Sequence, residues 1–110
     1  MILHITTPDA WAKAQQNGQY RTESLAIEGF IHCSTPQQMA RTANKHYARR
    51  TGMILLCIDE SRLTAPLRYE DLNAGDLFPH IYGPLNIDAV IKVVSYEPGV
   101  DGQFGAPQGI

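Results

Sequence analysis

The sequence predicts an α+β domain with mainly antiparallel pairing, and three observations carry that expectation. Met53 to Asp59 is apolar at every position but the last, as in a strand buried on both faces. Residues 36–49 place Met39, Ala40, Ala43 and Tyr47 at helical spacing. The remaining apolar segments are short and bounded by glycine, proline or asparagine, as hairpin-rich sheets require.

Ile2 to Thr6 reads as a first short strand. Thr7 or Asp9 caps the helix that follows, with Pro8 in its first turn and Ala10 to Gln16 as its body. Asn17-Gly18 ends it. Gln19 to Arg21 is a brief extended piece, and Ser24 to Ile27 makes one helical turn before Gly29. A strand then runs through Phe30, Ile31, His32, Cys33 and Ser34. Thr35-Pro36 opens a helix to about Arg49, and Thr51-Gly52 stops it. Asp59 to Leu63 is a turn, residues 67–72 form a half-exposed strand, and Asn73-Ala74-Gly75-Asp76 turns again. Pro79 and Pro84 bracket His80 and Tyr82, which argues against regular central-strand pairing throughout that segment. Asn86 to Ala89 is a turn and Val90 to Tyr96 a closing strand. The stretch 98–110, with four glycines and two prolines, is expected to be loose, leaving residues 1–97 as one domain.

Composition narrows the function classes. The chain has 110 residues, 44% of them apolar, and a net charge of −2. That fits one ordinary globular domain and lacks the basic footprint of a general duplex binder. No apolar run is long enough to span a membrane, and the N-terminus does not read as a signal peptide. Cys33 and Cys57 lie in apolar runs without metal-site spacing and read as reduced core residues, so the cytoplasm is the expected location.

The chemistry-bearing pattern is histidine. His4, His32 and His80 each lie in an apolar, strand-like segment beside Thr6, Ser34 or Tyr82, whereas His46 sits in a basic helix and reads as a surface residue. Alternation puts His32 and Ser34 on one strand face and Cys33 on the other, which makes a Cys33–His32 nucleophile pair poor geometry. The plain alternative for His32 is a buried histidine satisfied by a backbone carbonyl, with Ser34 or Thr35 capping the next helix. The three histidines plus Glu70 could ligate zinc in principle, but no pair has a helical or tight-loop ligand spacing, and no metal is expected. Glu70 is a candidate general base, or equally an exposed strand carboxylate.

Four segments resemble one family: Leu3-His4-Ile5-Thr6, Glu28 to Thr35, Leu67-Arg68-Tyr69-Glu70, and Phe78 to Asn86. Across residues 2–100 the chain resembles the DUF952 family of small bacterial and plant proteins of unknown function. That family is similar to the ADP-ribosyltransferase superfamily, which includes the RNA 2′-phosphotransferases. The resemblance implies a split core of two small, mainly antiparallel sheets with two flanking helices. It implies a cleft for NAD or another nucleotide-like small molecule, with His32, His80 and Glu70 catalytic and His4, Thr6, Ser34 and Tyr82 binding the ligand. Ile5 stands where the superfamily usually has glycine, and His80 where it usually has glutamate. A catalytically idle sensor of a nucleotide-like metabolite is the second expectation. The sequence does not specify an oligomeric state.

Overall fold

A computed structural model describes residues 1–72 and 75–110. The described residues form eight strands and three α-helices, alternating as far as the fourth strand: β1 (Ile2–Thr6), α1 (Pro8–Asn17), β2 (Gln19–Tyr20), α2 (Glu23–Glu28), β3 (Ile31–His32), α3 (Met39–Tyr47), β4 (Met53–Ile58), β5 (Leu67–Glu70), β6 (Phe78–Ile81), β7 (Leu85–Asn86) and β8 (Val90–Tyr96). Two short 3-10 turns, Glu60–Arg62 and Ile87–Ala89, complete the regular structure. The α+β class and the antiparallel pairing hold. The described residues form three sheets, not two: β1-β4-β8, β2-β7 and β3-β6-β5. They form three α-helices where two were expected, because Glu23–Glu28 continues past one turn.

β4 is central in its sheet, as its apolar character on both faces requires. Side chains of alternate parity feed two separate cores. Ile2, Leu56 and Ile58 pack with Ala14, Tyr20, Ile31, Ile81 and Leu85 on one face. Leu3, Ile5, Leu55 and Cys57 pack with Met39, Ala43, Tyr96 and Phe104 on the other. The first sheet is therefore the middle layer, with α3 and the C-terminal segment on one side and α1 and the smaller sheets on the other.

Local chemistry sets the helix ends. Thr7 and Thr22 accept from Ala10 N and Leu25 N at 3.2 Å each, capping α1 and α2. Gly29 closes α2 at φ +92°, a left-handed conformation that other residues resist. Before α3, Thr35 and Gln38 cap each other: Gln38 N donates to Thr35 Oγ1 (3.3 Å) and Thr35 N to Gln38 Oε1 (3.0 Å). α3 proper starts at Met39, later than the Pro36 start expected, and ends at Tyr47, earlier than Arg49. It stops there because Arg49 turns left-handed (φ +70°) and gives its N–H to Gly102 O at 2.8 Å.

Two further expectations are corrected. β6 is the centre of its sheet despite Pro79. The Pro79 carbonyl accepts from Cys33 N (3.0 Å), so its missing donor also faces the end of the two-residue β3, where the ladder is already finishing. The stretch 98–110 has no helix or strand, yet it is not loose. Phe104 is 4% exposed in the second core, the Asn44 amide bonds both its N (2.7 Å) and its O (3.0 Å), and Tyr96 donates to Gly105 O at 2.7 Å. The expected turn at residues 73–76 falls partly on residues 73 and 74, which lie outside the described residues.

Candidate functional site

β1 pairs with β4 along its full length; on its other edge, among the described residues, it makes a single antiparallel bridge, Leu3 with Ser34. Beyond that bridge the edge is open at His4 and Ile5. A cleft of about 580 Å³ fills the gap, walled by β1, the 32–34 segment, β6 and α3. His4, His32 and His80 all line it, together with Ser34. Three imidazoles separated by 28 and 48 positions thus meet around one hollow.

Their states differ. His4 is 8% exposed with both ring nitrogens occupied. Nδ1 lies 2.6 Å from the His32 carbonyl and so carries the proton; Nε2 lies 2.8 Å from the Tyr20 hydroxyl. Burial depresses His4 to about 4, so the ring is neutral and Nε2 accepts. The Tyr20 hydroxyl lies between His4 Nε2 and Thr6 Oγ1, the latter 2.8 Å away, and so links the three residues in one chain. Burial likewise pushes Tyr20 up to about 12. The backbone-satisfied histidine expected as the alternative at position 32 is found at position 4. Thr6 belongs to this chain and to a second hollow of about 350 Å³ that shares His4, Ile5, His32 and Tyr47 with the first; it does not line the cleft itself.

His80 is 1% exposed. Its Nδ1 faces Glu70 Oε1 at 2.9 Å and therefore donates to it, and the Tyr82 hydroxyl donates to the same oxygen. These bonds hold the Glu70 carboxyl below the usual range, Tyr82 contributing most, and the carboxylate in turn raises Tyr82. Glu70 and Tyr82 do not line the cleft; they stand behind His80 and orient it. His80 lines the cleft, and its Nε2, on the ring edge away from Glu70, has no hydrogen-bond partner among the described residues. Phe30 stacks on the ring at 4.2 Å.

His32 and His80 are directly opposed across β3 and β6, so their side chains share one sheet face, with ring centroids 5.4 Å apart. His32 is half exposed and its Nε2 meets Glu28 Oε1 at 2.9 Å. Ser34 is buried and donates to Thr42 Oγ1 at 3.1 Å. Cys33 points into the core, as alternation required, where burial pushes its thiol up; it and Cys57 are unpaired.

The opposite wall was not read from the sequence. Arg41, Thr42, Lys45 and His46 reach the cleft from α3. Arg41 is fixed by Asp76 Oδ2 at 2.9 Å, and the same oxygen accepts from Gln38 Nε2 at 2.9 Å. Gln38 and Arg41 together lower Asp76, Gln38 having the larger effect. Lys45 forms no ion pair among the described residues. The available signal was the spacing of Arg41 and Lys45, one helical turn apart on an exposed face.

Among solved structures, the chain is similar to the crystal structure of protein CC0527 from Caulobacter crescentus, with 28% identity over 94% of this chain and 92% of that one at a TM-score of 0.85. It is similar to the solution NMR structure of the same protein, with 28% identity over 93% and 89% at a TM-score of 0.81. No curated protein matches. The pattern of one family matches residues 5–93, most of the chain, and the chain belongs to that family, described as "Protein of unknown function (DUF952)".

Proposed function

We propose that the cleft binds NAD or another nucleotide or phosphorylated small molecule and performs transferase-like acid–base chemistry on it. The observation that carries this reading is His80: a buried imidazole on the wall of a hollow of ligand size, held by a carboxylate at Nδ1 and with no partner for Nε2 among the described residues. Arg41 and Lys45 supply positive charge opposite it, which suits a phosphate. Ser34 and His32 offer polar contacts to ribose or phosphate. His4 has no free nitrogen, so its part is to fix the His32 backbone, not to move protons. Glu70 acts through His80 as a positioning residue, with Tyr82 behind it. The two unpaired buried cysteines suit the reducing cytoplasm.

Calorimetry with NAD, ADP-ribose and nucleoside phosphates tests the reading. Binding at or below millimolar ligand is expected, and its absence for every compound removes the proposal. Turnover that His80→Ala abolishes while affinity survives supports an enzyme. Binding without turnover supports the alternative of a nucleotide-like metabolite sensor.

A further inference from the structure

The charge lining the cleft separates two kinds of reaction. Transfer from a sugar carbon builds positive charge on the sugar and is helped by a carboxylate facing it. Attack at phosphorus builds negative charge and is helped by cations and donors. Among the described residues no Asp or Glu lines the cleft, whereas Arg41, Lys45, His32 and His80 do. The two carboxylates nearest the histidines are both committed, Glu70 to His80 and Tyr82, and Glu28 to His32. The result is two neighbouring imidazoles, 5.4 Å apart on one sheet face, each with one nitrogen held by a carboxylate and the other without a hydrogen-bond partner among the described residues.

Resting on the ligand-binding reading above, we propose that the cleft acts at phosphorus and hydrolyses a nucleotide phosphodiester, with His80 as general base and His32 as general acid. A water oxygen attacks phosphorus while its proton passes to His80 Nε2, and Glu70 stabilises the imidazolium that forms. The bond from phosphorus to the leaving oxygen breaks with its electron pair on that oxygen. The leaving oxygen takes the Nδ1 proton of cationic His32, whose Nε2–H remains on Glu28. The products are a phosphomonoester and an alcohol, and proton exchange with solvent restores both rings. A diester is the fitting substrate because it carries a single negative charge. Arg41 shares its charge with Asp76, whereas Lys45 forms no ion pair among the described residues and is the stronger fixed cation of the wall.

The test is hydrolysis of 2′,3′-cyclic AMP, of a dinucleoside phosphate and of bis(p-nitrophenyl) phosphate, each with EDTA present. Turnover in EDTA is expected with wild-type protein. His80→Gln should lose roughly 100-fold or more on every substrate, the usual weight of a general base. His80 is buried, so a thermal melt of that variant accompanies the assay, and the half-exposed His32 provides the second variant. His32→Asn should lose at least roughly tenfold more on the dinucleoside phosphate, whose alkoxide leaving group needs a proton, than on the p-nitrophenyl ester, whose phenolate does not. Equal losses on both substrates overturn the role of His32. No wild-type turnover on any diester overturns the proposal. If calorimetry still shows nucleotide binding in that case, the reading of the site survives; if binding is absent too, both fall.

Discussion

His4 gives the site a pH signature that belongs to one residue. The folded protein holds it neutral to about pH 4, while the unfolded chain takes up a proton near 6.5. Above 6.5 neither state is protonated there and stability is whole. As pH falls from 6.5 towards 4 the unfolded state alone gains the proton, so stability is lost, and below 4 the loss levels off. The gap amounts to about 3 kcal/mol. Urea unfolding at pH 7 and pH 4 should show His4→Gln losing about 3 kcal/mol less than wild type over that span; parallel losses would mean that the ring is not sealed. The same residue shows what was legible at this scale. The sequence shows His4 and His32 in apolar segments beside hydroxyls, while their meeting with His80 is set by the pairing of β3 with β6. Nothing in the sequence says that Tyr20, sixteen positions away, would occupy His4 Nε2. That bond depends on how α1 returns the chain to β1.

At the scale of elements, the helix signals proved readable because they are local. Thr7, Pro8, Gly18 and Gly29 act within a turn of themselves, and each stands at the end it marks. Gly29→Ala should cost about 1 kcal/mol, all of it backbone strain, because a Cβ there meets nothing within 4 Å. A shift in denaturation midpoint close to zero would show that the end of α2 relaxes. Thr35→Ala removes half of the reciprocal cap before α3 and should cost about 1 kcal/mol. It should also weaken nucleotide binding in calorimetry, since α3 carries Arg41 and Lys45 to the cleft. Unchanged affinity would mean that α3 holds its place without the cap. For β6 the sequence shows Pro79 but not the edge that its missing donor faces. The pairing partner decides that, and β3 is two residues long.

Across the whole molecule, the C-terminal segment acts as part of the second core. Phe104→Ala should cost about 3 kcal/mol or more in urea unfolding, as truncation of a buried aromatic does. A loss below about 1 kcal/mol would return the segment to a loose appendage. No described helix is long and apolar enough to cross a membrane. The middle sheet with a core on each face also accounts for the cleft: β1 has one paired edge and one edge that, among the described residues, is bridged at Ser34 alone.

Composition, periodicity and end signals alone determined the α+β class, the central place of β4 and the ends of α1. Each of these rests on the spacing of neighbours along the chain, which the sequence carries directly. Tertiary structure alone decided that His4 has both nitrogens bonded while His80 has a bond at Nδ1 only, that Glu70 stands behind His80 instead of lining the cleft, and that α3 brings Arg41 and Lys45 to the cleft. Those outcomes depend on which group from a distant element arrives at a given polar atom, and a one-dimensional pattern holds no record of that.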